Sequence, residues 1–346
     1  RLTMKKLSWF NRVVFVINVL VAFFLLLIGL FSFLKFQPIP SLAVLSLFVP
    51  ILFVLNGLFV FYWLVLRKRK FLWSLWAIIL GYIVFGSFYG LGSDAVESGE
   101  NHLKVMTYNV WGFNKNGWIK EPNIGDRIID FVKKEDPDIL CLQEHSRIRY
   151  RQLKQYPFRS ETPYSTPRSI QAIFSKFPIV GSGSLDLPGT INNIIYADIQ
   201  YGKDTIRVYN FHLQSYSIVP SANSFSSGER SERTYNRLVT TFTKQLEQAK
   251  IFKEHLENSP YQNLVCGDMN NTQFSNIYKI VKGDLQDTFR EKGEGFGRTY
   301  DLLKFPIRID YILADPDFEV LSHQNFNIKL SDHYPVMSTL RLKSHQ

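Results

Sequence analysis

Three long apolar runs near the start constrain this chain most. Val13–Leu34, Leu42–Leu66 and Phe71–Tyr89 contain no Asp, Glu, Lys or Arg. A bilayer core needs about 20 apolar residues of helix. The first two runs meet that length easily, although Pro50 interrupts the second, and the third is marginal. A cleaved leader would have a shorter apolar stretch followed by small residues. The runs therefore predict a bundle of about three transmembrane helices, over 13–34, 42–66 and 71–89. Arg1, Lys5, Lys6 and Arg12 precede the first run, only Lys35 follows it, and the block Arg67–Lys70 separates the second from the third. Lys and Arg concentrate on the cytoplasmic side. The pattern predicts a multi-pass protein of the cytoplasmic (inner) membrane, N-terminus inside. The rest of the chain would lie outside, in the periplasm if the host is Gram-negative. Trp63, Trp73, Trp76 and Tyr89 fall near the predicted span ends, where interfacial aromatics sit.

The formal net charge is +10 over 346 residues, and residues 1–100 hold nine of the 40 Lys/Arg and three of the 30 Asp/Glu. Most of the basic balance thus flanks the apolar runs, and it argues little for nucleic-acid binding by itself. At 46% hydrophobic the chain is too apolar to be disordered. Two cysteines exclude a disulfide scaffold, and the default for Cys141 and Cys266, inside apolar strands, is a pair of buried thiols. His102, His145, His255, His323 and His345 have no zinc-type spacing. A small polar stretch, Leu91–Asn101, divides the chain into a membrane region, 1–100, and a catalytic region, 101–346.

Within 101–346, runs rich in Val, Ile, Tyr and Phe predict strands near 103–109, 138–143, 170–174, 194–200, 205–212, 263–267, 308–313 and 334–341. Ile124, Ile128, Ile129 and Val132 share a helical face before Asp136-Pro137. Leu238, Val239, Phe242, Leu246, Ala249, Phe252 and Leu256 predict a longer helix over about 231–257, its stripe packed in the core. Pro220–Ser231 is polar and reads as a mobile surface loop.

Polar residues gather at the strand ends: Asn109, Gln143-Glu144, His212, Asp268 with Asn270, and Ser331-Asp332-His333. Singly, each is readable as a turn former or a solvated end. Asp310, expected in the middle of an apolar strand, is different. A buried carboxylate is costly unless paired, and His333 is the candidate cation.

The ordered blocks MTYNVWGF, DILCLQE, YNFHLQS, CGDMNNT, RIDYIL and SDHYPV resemble the endonuclease/exonuclease/phosphatase superfamily, which is DNase I-like, over nearly all of 103–342. As a member the chain would be a membrane-anchored bacterial one. The resemblance implies an α/β fold, a four-layer α/β/β/α sandwich, and hydrolysis of phosphate esters with a divalent metal, Mg²⁺ or in its place Mn²⁺. Glu144 resembles the principal metal-binding glutamate, Asn109 the Asn that supports the metal site, and Asp332 the acid beside the catalytic His. His333 with Asp310 resembles the His–Asp pair at the scissile phosphate. Asp268 resembles the acid that positions or deprotonates water, and Asn270 and His212 resemble donors to phosphate oxygens. The base, Asp268 or His333, stays open. One departure is Trp111, where some members carry a further metal-binding acid or Asn; it favours a one-metal site. Gln214, Arg168, Trp111 and Tyr300 are further candidates to touch substrate. The expected activity is that of a membrane-anchored phosphodiesterase or nuclease. The alternatives are a sphingomyelinase-like lipid phosphodiesterase, a phosphomonoesterase and an inactive scaffold. Partners are the phosphate ester, nucleic acid or phospholipid, and the membrane itself; no protein partner is inferred.

Overall fold

A computed structural model describes residues 7–33, 44–92, 99, 102–164, 168–216, 228–302 and 305–343. The chain divides into two compact units, Arg1–Ser87 with Phe274–Asn276, and Phe88–Gln273 with Ile277–Gln346.

The first unit contains three helices, α1 (Trp9–Phe33), α2 (Val49–Val65) and α3 (Phe71–Phe85). A 3-10 turn, Val44–Phe48, leads into α2 and places Pro50 in its first turn, where the missing amide costs no hydrogen bond. Trp9–Ser32 and Val44–Val65 are long and apolar enough to cross a membrane. The third run is shorter than expected. Gly86, at φ +72, ends α3 after 15 residues, roughly 22 Å of helix against a hydrocarbon core of about 30 Å. Asn18 of α1 links the three helices. Its amide donates to Ser74 and its carbonyl accepts from Trp63 Nε1 at 2.8 Å, the kind of polar join that helices use in apolar surroundings.

The second unit is built from β1 (Leu103–Asn109), α4 (Ile124–Glu135), β2 (Ile139–Gln143), β3 (Phe158–Glu161), β4 (Ala172–Ser175), β5 (Ile179–Leu185), β6 (Ile194–Tyr201) and β7 (Asp204–His212). It continues with α5 (Gly228–Glu257), β8 (Gln262–Asp268), α6 (Asn276–Lys282), β9 (Gln286–Asp287), α7 (Thr288–Lys292), β10 (Asp310–Ala314), β11 (Phe318–Asn325) and β12 (Val336–Leu342). Two six-stranded sheets form, in the orders β11-β12-β1-β2-β4-β3 and β9-β10-β8-β7-β6-β5. Their inner faces meet in one apolar layer. Leu103, Val105, Ile139, Cys141 and Ile173 come from the first sheet; Ala197, Val208, Leu264, Cys266 and Ile312 come from the second. The two cysteines are free and buried in this layer. Ile124, Ile128, Ile129 and Val132 of α4 cover the outer face of the first sheet on Met106, Tyr108, Leu140 and Phe174. Phe252 of α5 covers the second against Tyr209, at 5.2 Å between ring centres. The result is the expected α/β/β/α stack.

Each sheet holds one parallel pair, β1 with β2 and β7 with β8, and the rest pair antiparallel. A parallel pair needs a crossover, usually a helix, and α4 and α5 supply the two. Two details differ from the sequence expectation. Asp310 opens β10 instead of lying mid-strand, because residues 305–307 pair with Tyr300–Leu302. Residues 228–231, expected in the polar loop, begin α5; residues 217–227 of that loop lie outside the described residues.

Candidate active site

In open parallel sheets, ligands bind beyond the carboxyl ends of the strands. Here four such ends converge. β1 ends at Asn109 and β2 at Gln143, with Glu144 next; β7 ends at His212 and β8 at Asp268. In register, Asn109 stands opposite Gln143, His212 opposite Asp268, and Asp310 opposite Asp268. A polar rung closes the apolar layer below them. Gln143 Nε2 donates to Thr107 Oγ1 at 3.0 Å and to Asn210 Oδ1 at 2.7 Å, and Asn210 Nδ2 crosses to Leu142 O and Ala172 O, each at 2.9 Å.

Above the rung, Asn109 Nδ2 lies 3.2 Å from Asp268 Oδ2 and 3.4 Å from Glu144 Oε1, so it spans both sheets. Asp268 Oδ1 accepts the Asn270 amide at 2.7 Å. His333 Nδ1 contacts both oxygens of Asp310, at 2.9 and 3.1 Å, and its Nε2 lies 3.6 Å from Asp268 Oδ2. His212 Nε2 lies 3.6 Å from Asp268 Oδ2 and 4.0 Å from Glu144 Oε1. That nitrogen is buried without a hydrogen-bond partner. His212 Nδ1 faces Ser169 Oγ at 3.5 Å. Ser331 Oγ has one proton to give, to Asn109 O at 2.8 Å or to Asp332 Oδ1 at 3.1 Å. Glu144, half-buried, and Asn270 hold left-handed backbones, φ +51 and +50. Such strain persists only where the surroundings enforce it, typically at sites.

Burial dominates the electrostatics. It pushes the Asp268 carboxyl up to about 8, with His333 opposing and Asp310 adding to it. Burial also disfavours a charged His333, but the carboxylates of Asp310, Asp268 and Asp332 outweigh it and hold the imidazolium well above the usual histidine range. His212 moves the other way, down to about 4, again through burial, with Glu144 opposing. One histidine is thus cationic and the other neutral near pH 7.

The structure therefore brings Asn109, Glu144, His212, Asp268, Asn270, Asp310 and His333 together, with Asp332 joined through Ser331. Tyr300 is adjacent: it bridges His333 by backbone, and its ring lies 5.0 Å from the imidazole. Trp111 is also adjacent, its amide donating to Asn109 Oδ1 at 3.1 Å. Arg168 pairs instead with Asp186. Gln214 is held at its amide by Gln248 of α5, at 2.9 Å. Four supporting residues lie outside the set expected from the sequence: Ser169, Asn210, Gln245 and Gln248. Asn210 had a signal, since it lies two residues before His212 and so on the same strand face. Ser169 and the two glutamines had none.

Glu144 and Asp332 carry carboxylate oxygens, the donor type Mg²⁺ prefers, while Asn109 presents Nδ2 to Glu144 and keeps Oδ1 on the Trp111 amide. Among the described residues, Asp268, Asp310 and His333 also cluster closely enough to hold an ion. However, Asp310 is already committed to His333 Nδ1, and a buried imidazolium repels a cation. The Glu144 side fits a metal better.

Comparison with known proteins agrees with this architecture. No curated protein sequence matches the chain. A crystal structure of D. rerio TDP2 complexed with single strand DNA product aligns with a TM-score of 0.54 at 14% identity, covering 70% of this chain and 100% of that one. The human Nocturnin catalytic domain with bound sulfate anion aligns at 0.52 and 15% identity, covering 72% and 96%. An endonuclease/exonuclease/phosphatase family protein from Bacteroides thetaiotaomicron aligns at 0.53 and 17%, covering 70% and 98%. At these identities the likeness is one of fold. Residues 11–88 match a domain of unknown function, DUF8431. Residues 106–333 match the model of the Endonuclease/Exonuclease/phosphatase family, and the chain belongs to that family.

Proposed function

We propose that this protein is a membrane-anchored, divalent-metal-dependent phosphodiesterase of nuclease type. The observation that carries the reading is the pairing of opposite states in one buried cluster. His333 is held cationic by Asp310, and the orphaned Nε2 of His212 is held neutral, both 3.6 Å from Asp268. A fold-only protein has no use for an unpaired buried nitrogen beside a high-pKa carboxyl. The fold is shared with a TDP2 solved with a single-strand DNA product. Two helices of spanning length precede the domain, which supports the membrane-anchored part of the reading.

In this reading Glu144 and Asp332 would hold the cation, with Asn109 supporting the site by its contact with Glu144. When bound, it supplies positive charge that stabilises the phosphoryl oxygens and favours ionised Asp268. Asp268 then takes the proton of the attacking water. His333 already carries its proton, which assigns the base to Asp268 and makes His333 a donor from Nε2 to a phosphoryl oxygen. Asp310 fixes the ring and its charge. With Nδ1 accepting from Ser169, His212 bears its proton on Nε2, a second donor in a dry site. Asn270, anchored by Leu213 O at 3.0 Å, lies beside them.

The test is Mg²⁺-dependent hydrolysis of oligonucleotides, sphingomyelin and bis-p-nitrophenyl phosphate by the purified full chain in detergent. His333→Ala and Glu144→Ala are each expected to lose about 10²–10⁴-fold in kcat while keeping wild-type circular dichroism. Full activity in either variant refutes the site. Turnover of sphingomyelin alone replaces the nuclease reading with the lipid one.

A further inference from the structure

Four consecutive residues beside the metal-side amide adopt the left-handed conformation: Trp111, Gly112, Phe113 and Asn114, at φ +46, +60, +56 and +58. For residues with a Cβ this region is sparsely populated and strained. The surroundings enforce it. The Trp111 amide donates to Asn109 Oδ1, the Gly112 amide to Glu144 O at 2.9 Å and the Phe113 amide to Val110 O at 2.7 Å. The Asn114 side chain closes the loop on both the N–H and C=O of Ile119.

What this strained run achieves is the placement of one indole. Trp111 stacks on Trp118, ring centres 3.9 Å apart and planes within 18°. A core contact would be buried, and Phe113 in the same loop is, at 4% exposure. Trp118 remains 46% exposed. The pair is a flat, partly exposed apolar surface, tied to the site by the Trp111 amide on Asn109 and the adjoining Gly112 amide on Glu144.

We propose that Trp111 and Trp118 form a stacking platform for the nucleobase next to the scissile phosphate. The substrate is then a base-bearing phosphodiester, preferably single-stranded, whose bases are free to stack. This inference rests on the phosphodiesterase reading above. Two features choose a planar ring over the quaternary ammonium of a choline lipid. A parallel pair stacked face to face leaves flat surface outward, whereas a quaternary ammonium is held by several rings around it. The loop also carries exposed Lys115 and Lys120, the first with its side chain against Gly112; these repel choline and attract phosphate.

The experiment compares two single strands with the same phosphodiester backbone, one with bases and one with tetrahydrofuran abasic residues flanking the cleaved bond. The full chain in detergent is assayed with Mg²⁺. Stacking on an aromatic is worth roughly 1–3 kcal/mol per base, or about 5- to 150-fold. Wild type is expected to prefer the base-bearing strand at least about tenfold in kcat/KM, mostly through KM. Trp118→Ala is expected to abolish that preference, and Trp118→Phe to restore most of it. An unchanged preference in Trp118→Ala, or an equal loss on both strands, overturns the platform. So does sphingomyelin turnover that depends on Trp118. Hydrolysis of bis-p-nitrophenyl phosphate that needs His333, with neither strand cleaved, rejects the platform and keeps the hydrolase. Activity that does not need His333 rejects the site itself.

Discussion

Asp310 meets His333 Nδ1 at 2.9 Å through one oxygen and 3.1 Å through the other, and both residues are buried. Its place among Ile309, Tyr311 and Ile312 is what made a cationic partner necessary, since an unpaired buried charge is costly. This residue is therefore legible in the amino-acid sequence itself. Asn109, Glu144, His212 and Asp268 are legible only as a set, because each alone reads as a strand end. Asp310→Asn keeps the shape but removes the charge that holds the imidazolium. It is expected to cut kcat by about 10²–10⁴-fold, with an unchanged circular dichroism spectrum; steady-state kinetics on the best substrate checks this. Retention of more than half the activity would mean that Asp310 serves folding only. Arg168 illustrates the opposite outcome. Its charge suggested a phosphate contact, and the structure gives it to Asp186. Nothing in a linear sequence says which of many acids an arginine meets.

At the scale of elements, the eight strands expected from the sequence are the interior strands of the two sheets. The four strands of these sheets that escaped, β3, β5, β9 and β11, are their four edges. Interior strands are covered on both faces and read as near-continuous apolar runs. Edge strands are short or half-exposed, as in the IVGSGSL of β5, and they lose the signal. The α5 helix was legible from its stripe, but not the buried polar residues within it, Gln245 among them. Gln245 Nε2 donates to Gln214 O at 2.7 Å and to Asn270 O at 3.2 Å, and its Oε1 accepts from Asn271 at 2.8 Å. It ties the end of β7 to the loop after β8. Gln245→Ala leaves three buried groups unpaired, at about 1–3 kcal/mol for each one that water does not satisfy. The expected outcome is a Tm lowered by several degrees and a kcat/KM lowered about tenfold through a displaced Asn270. A thermal melt and an activity assay on one preparation check both, and a wild-type kcat/KM would confine Gln245 to stability.

At the scale of the catalytic unit, the buried titrating groups set the pH of greatest stability. Burial lowers His145 and His323 to about 3 and His212 to about 4. Below the unfolded value of about 6.5 the unfolded chain binds these three protons and the folded chain does not, so stability falls as pH falls. Burial raises Asp268 to about 8, and the surrounding carboxylates raise His333 well above 6.5. Here the folded chain holds the extra protons, so this stability is full at low pH and fades as pH rises. Without divalent cation the opposed contributions of these five groups balance near pH 6.5. The unfolding free energy in chelator is expected to peak there, falling toward pH 5 by roughly 2–3 kcal/mol per pH unit at the steep end, and the Tm follows it. A Tm rising steadily from pH 6 to 8 would contradict this balance.

The sequence alone determined the apolar spans, the interior strands, the two crossover helices and the identity of the polar strand ends. All of these depend on local periodicity and composition, which a chain carries along its length. The tertiary structure decided the rest. Gly86 cut the third apolar run to a short helix, and edge pairing recruited strands of weak pattern. Sheet packing set Asn109 against Asp268, 159 positions apart. Left-handed backbone at residues 111–114 stacked Trp111, legible in the sequence, on Trp118, which was not. Such contacts depend on which distant groups share a small dry volume, and only the folded chain brings them there.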